Sequence, residues 1–227
     1  MDESRSAAAP ERRASGLTTV VTVHGLWMHV GSMIVLQRRL EARGFAVRSF
    51  GYPSVTHSLE ANAAALGEFI ERAPGERVHV VAHSLGGVLV RTLLEQRVPA
   101  RLDRVVMLGS PLRGSRIGAR LARLPGGRRI VGCSIRDLNA RGGFAQWPPG
   151  VAGGCIAGRL PVGAGWLLGG FLETNDGTVA VSETRLPGLA DHIVLNVSHF
   201  ALLWSRRVSE QTQHFLEHGR FRRAAPR

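Results

Sequence analysis

The stretch "VHVVAHSLGGVLVRTLLEQ", residues 78–96, decides how the rest of the chain is read. It enters as a β-branched, apolar run suited to a buried strand and leaves as an amphipathic pattern suited to a helix, with Ser84 at the junction. A sharp strand-to-helix turn forces its central residue into a strained backbone conformation and tolerates only minimal side chains two positions before and after it. Ala82 and Gly86 meet that demand, and Gly87 lets the new helix pack closely on a neighbouring strand. Such a turn lifts the Ser84 hydroxyl above the sheet edge. It also aims the backbone N–H of Leu85, at the helix start, where an oxyanion would sit. The competing reading makes Ser84 a simple helix N-cap. A base and an acid further along the chain would decide between them.

Working outward, short β-branched runs alternate with helical patterns, which argues for a parallel sheet covered on both faces. Upstream, "LTTVVTV" (17–23) is a strand ending at His24-Gly25. A helix follows with Met33, Leu36 and Leu40 on one face and Gly44 as its stop, then a strand over "FAVRSF" (45–50). Leu59, Ala63, Leu66 and Ile70 recur at helical spacing before Pro74-Gly75, and "RVHVVA" (77–82) is the strand that leads to Ser84. Downstream, "RVVMLGSP" (104–111) is a strand ending in a turn. From 112 to about 150 the periodicity weakens, apart from a short helix from Ser115 to Arg123, and this stretch is expected to be a lid or insertion. "GCIAG" (154–158) and "HIVLNV" (192–197) read as the last strands, and "SRRVSEQTQHFLEHG" as a closing amphipathic helix. About six strands in β-α order result.

The 227 residues suffice for one substantial core, so a single domain over 17–219 is expected, with an N-terminal arm (1–16) and a basic tail (220–227). The arm carries early acids and no continuous apolar core, unlike a signal peptide, and no apolar run approaches the ~18 residues of a membrane span. A cytoplasmic location is the corresponding expectation, with Cys133 and Cys155 as reduced thiols. The net charge of +12 is a weak clue, because all 29 basic residues are arginines, scattered among alanines and glycines. No aromatic residues interleave them as on a base-stacking surface, so nucleic acid is not expected as a partner; peripheral contact with an anionic membrane stays open.

"AHSLGG", together with the upstream "HGLW", resembles the α/β-hydrolase superfamily, particularly small bacterial lipases and esterases and the related lipase-like deacylases. The resemblance covers nearly all of the chain after the arm. Ala82 departs from the commoner Gly of the motif. The resemblance implies an α/β-hydrolase fold of about six mostly parallel strands with helices on both faces and a minimal or short lid. It also implies a catalytic order of Ser, acid, His, with the last two on loops after late strands. Ser84, Asp176 and His199 occur in that order. Of nine histidines, His199 alone follows a strand end late enough to reach Ser84. Asp176, in the turn sequence "NDG", is favoured over Asp191 and Asp137, and Glu173 remains its rival.

By the same resemblance the oxyanion donors are the N–H groups of Leu26 and Leu85, with His24 and His83 as hydrogen-bonding supports behind them. "GSPLRGS" (109–115) is similar to the turn that leads into the family's lid region. Trp27, Met28, Leu112, Ile117, Trp166, Leu168 and Phe171 are the candidate pocket walls, with core packing as the plainer alternative for each. No His/Cys/Asp cluster has metal-ligand spacing, and "GVAGG" lacks the form of a dinucleotide fingerprint, so no metal or cofactor is expected. The function expected is hydrolysis of a carboxylic ester with an apolar acyl or alcohol part through an acyl-enzyme. A thioesterase, an amidase or an acyltransferase could use the same three residues. A non-catalytic binding protein on this fold is the rival from another class.

Overall fold

A computed structural model of the chain describes residues 17–163 and 172–223. The expected arm at 1–16 lies outside the described residues, as do Trp166, Leu168 and Phe171. Six strands, β1 (Thr18–Val23), β2 (Ala46–Phe50), β3 (Arg77–His83), β4 (Leu102–Leu108), β5 (Ala152–Gly158) and β6 (Asp191–Leu195), form one sheet in the order β2-β1-β3-β4-β5-β6. Every neighbouring pair is parallel.

The alternation of side chains along each strand divides the core in two. Val80, Ala82, Val105 and Met107 face helices α2 (Leu59–Glu71) and α3 (Leu85–Gln96). Val81, Val106, Leu108 and Ile156 face α1 (Ile34–Glu41) and α6 (Arg206–His218). Each of these strand side chains is almost fully buried, worth about 1.5–3 kcal/mol for the larger apolar ones. A sheet buried on both sides explains why β3 and β4 read as unbroken apolar runs. Helix ends follow their sequence signals: Ser58 and Ser205 accept hydrogen bonds from Ala61 and Val208, and Gly219 closes α6 in the left-handed conformation.

One expectation needs correction. Residues 112–150 are not largely irregular: besides α4 (Arg116–Ala122) they contain α5 (Gly127–Ala140). The two pack on each other as a hairpin beside the strand ends. Gly127 and Gly132 hide α5 from a periodicity reading, and Gly132 (φ +70°) kinks it where the main chain of Val55 passes too close for a side chain. Cys133 and Cys155 are both free thiols. Among the described residues, no helix is long and apolar enough to cross a membrane.

Candidate active site

Ser84 stands between β3 and α3 with φ +52° and ψ −119°, far outside the helical region, and its side chain makes no capping hydrogen bond. The N-cap reading therefore does not describe it. Its backbone is held by an N–H donated to the Leu108 carbonyl at the end of β4, while its own carbonyl accepts from Gly87. Close packing fixes the turn. A Cβ on Gly86 would lie 2.6 Å from the Val23 carbonyl oxygen, and one on Gly87 only 2.1 Å from the Ser110 hydroxyl. The two glycines let α3 start pressed against the ends of β1 and β4.

Asp176 and His199 meet on the loops before and after β6. His199 Nδ1 lies 2.7 Å from Asp176 Oδ2, and both residues are buried. Asp176 is held from its other side: Oδ1 accepts the N–H groups of Thr178 (3.0 Å) and Val179 (2.7 Å), the turn that "NDGT" encodes. The main chain repeats the link, because the N–H of His199 donates to the Asp176 carbonyl at 2.8 Å. With its Nδ1 proton committed to the carboxylate, the imidazole keeps Nε2 as an acceptor. The other acids are engaged elsewhere. Glu173 pairs with Arg116, Asp191 with Arg223, and Asp137 accepts the Leu59 N–H at the start of α2.

Two buried histidines support these groups. His83 Nε2–H donates to the His199 carbonyl at 3.2 Å, and burial, reinforced by the nearby His199 ring, holds the imidazole well below its ordinary pKa. His24 accepts the Tyr52 N–H at Nε2 (3.4 Å), so its proton is on Nδ1, which donates to the Gly25 carbonyl at 2.8 Å. Burial again lowers its pKa. A neutral His24, stacked on Tyr52, thereby sets the conformation of the loop that carries Leu26.

Ser84 and His199 line one cavity of about 340 Å³ together with Leu26, Trp27, Met28 and Ile117. No hydrogen bond joins the Ser84 hydroxyl to the His199 ring among the described residues, a contact that is often long before substrate binds. Leu26 enters the cavity wall, and Gly25 lies so close that a Cβ on it would be 3.1 Å from that of Ser84. Leu85 is buried as the first residue of α3, its side chain in the core. Leu112, expected in the wall, is a correction: it is fully buried in the core cluster and does not line the cavity, and its carbonyl accepts from Phe144. Further wall comes instead from Leu121 of α4 and from Val131 and Ile135 of α5, which the sequence reading missed along with α5. Ser54, which accepts the Trp27 N–H, and Glu183, which accepts the N–H groups of Arg116 and Ala180 and so ties α4 to the Asp176 loop, were also missed. The Ser54–Trp27 and Glu183–Arg116 contacts span 27 and 67 positions and leave no local signal.

No carboxylate or guanidinium lines the cavity among the described residues, and no three His, Cys, Asp or Glu side chains converge there to hold a metal ion. The arrangement is suited to making a hydroxyl nucleophilic beside an uncharged, apolar group.

Fold and topology are those of the α/β-hydrolases. The mature lipase BlEst2 of Bacillus licheniformis superposes with a TM-score of 0.68 at 17% identity, over 94% of this chain and 96% of that one. The metagenomic carboxyl esterase MGS0156 does so with a TM-score of 0.62 at 19% identity, over 84% and 66%. The pyrethroid hydrolase PytH gives 0.57 at 15% identity, over 89% and 98%. The chain belongs to the family Domain of unknown function (DUF7379), whose model matches residues 3–124 and so includes Ser84 but neither Asp176 nor His199. No curated protein matches in sequence.

Proposed function

We propose that the protein is a serine hydrolase that cleaves carboxylic esters with an apolar acyl or alcohol part. The observation that carries this reading is that His199, bonded to the buried Asp176, lines the same cavity as a serine held at a strained strand-to-helix turn. In the proposed reaction His199 Nε2 takes the Ser84 proton as Oγ attacks the ester carbonyl. Asp176 holds the ring in the tautomer that leaves Nε2 free and stabilises the imidazolium that forms. The N–H groups of Leu26 and Leu85 receive the oxyanion. The imidazolium then gives its proton to the departing alcohol, leaving an acyl group on Ser84. Water, deprotonated by the same ring, releases the acid.

The α/β-hydrolase fold of a lipase and an esterase supports this reading, although fold alone does not assign chemistry. Hydrolysis of p-nitrophenyl esters from acetate to palmitate is the test. Turnover that disappears in Ser84→Ala supports the proposal, and silence of the folded protein across the series contradicts it.

A further inference from the structure

Besides Ser84, Trp27 is the only non-glycine residue among those described with a positive φ, at +57°. A bulky side chain occupies that region at a cost and needs something to hold it there. Two hydrogen bonds do so. The Trp27 N–H donates to Ser54 Oγ at 3.2 Å, and the indole Nε1–H donates to the Ile130 carbonyl of α5 at 2.9 Å. The anchor points are themselves joined, since Val55, next to Ser54, accepts the N–H of Cys133 just past the α5 kink. The loop after β1, the loop after β2 and α5 thus close a hydrogen-bonded ring at the mouth of the cavity. The ring does not explain itself as core packing, because the Trp27 side chain is 58% exposed.

The residue so anchored directly follows Leu26, whose N–H is the proposed oxyanion donor. The anchors on Trp27 hold the Leu26–Trp27 peptide, and the Leu26 N–H lies in the preceding Gly25–Leu26 peptide, whose carbonyl accepts from His24 Nδ1, so the two peptides flanking the Leu26 Cα are held from both sides. We infer that Trp27 is a positioning residue for the oxyanion site, holding the Leu26 N–H through its indole hydrogen bond to Ile130 rather than merely walling the pocket. This inference rests on the proposed hydrolase reading.

Trp27→Phe keeps an aromatic wall and removes only the indole donor, and Ser54→Ala releases the other anchor. Transition-state donors are sensitive to displacements well under 1 Å. Each variant is therefore expected to lower kcat on p-nitrophenyl acetate and butyrate about tenfold, with KM within about twofold and the thermal midpoint nearly unchanged. Either variant suffices if the other fails to fold. Unaltered kcat in either folded variant, a loss confined to the KM of long esters, or a loss that follows the thermal midpoint overturns the inference while leaving the hydrolase reading intact. A wild-type protein inactive on every ester overturns both.

Discussion

His199 and Asp176 are tied twice, by a side-chain hydrogen bond of 2.7 Å and by a main-chain hydrogen bond of 2.8 Å from the His199 N–H to the Asp176 carbonyl. The double link fixes both the ring orientation and the relative height of the two loops. Asp176→Asn keeps the shape and can still accept the Thr178 and Val179 amides at its oxygen, but its amide N–H₂ would face Nδ1 and favour the other tautomer. The expected result is a fall in kcat of about 10⁴-fold with a near-native fold, read by ester turnover and circular dichroism. A loss below tenfold would remove Asp176 from the proposed mechanism.

Gly109 (φ +60°) passes directly behind this pair. A Cβ there would lie 3.0 Å from Asp176 Oδ2, 3.1 Å from His199 Nδ1 and 2.7 Å from a methyl of Leu202. Gly109→Ala is expected to push the imidazole off its position and to cost on the order of 10²-fold in kcat. Its stability loss is expected to stay near 1–3 kcal/mol, the usual cost of overpacking. Stopped assays beside urea unfolding curves measure both. Retained activity would mean that the pair tolerates displacement.

Cavity size sets an expected substrate length. A 150 Å³ apolar cavity holds one benzene, so about 340 Å³ has room for roughly a dozen heavy atoms. The value of kcat/KM is expected to rise from acetate to about octanoate and to fall steeply by palmitate. Ile135→Ala, which enlarges the wall formed by α5, should move the fall to longer chains. A flat profile, or one that Ile135→Ala leaves unshifted, contradicts the assignment of that wall.

Stability should depend on pH through His79. It is buried in β3, and burial lowers its pKa to about 4, with Asp103 opposing the shift and Arg104 and Arg77 adding to it. In the unfolded chain the ring titrates near 6.5. Between these values only the unfolded chain binds the proton. The stabilising contribution is therefore complete above pH 6.5 and is lost as the pH falls toward 4. His192, lowered by burial to about 4, acts in the same window. His79→Gln is expected to flatten the decline of the urea midpoint between pH 6.5 and 4, and an unchanged slope would rule His79 out as a source.

Much of this was legible in the sequence because the informative residues sit at strand ends. Buried parallel strands show as apolar runs, and the residues just after them, His24-Gly25, Ser84 and His199, fall on one edge of the sheet by topology alone. The Asp176 turn was readable from "NDG" for a local reason, an Asp side chain satisfying amides two and three positions on. What escaped is what glycine and distance conceal. The helix α5 is broken at Gly132 to clear Val55, so its Val131 and Ile135 carry no continuous pattern. Leu112 was misplaced because an apolar residue after a strand can turn into the core as readily as into a cleft. Ser54 and Glu183 act through partners far along the chain.

A fluorophosphonate probe, which reacts with an activated serine, tests whether the Ser84 hydroxyl is the proposed nucleophile. Intact-mass and peptide mass spectrometry of the folded protein should show a single adduct on Ser84, absent from Ser84→Ala. A folded wild type that takes up no label, or a Ser84→Ala protein labelled as readily as wild type, would contradict the account.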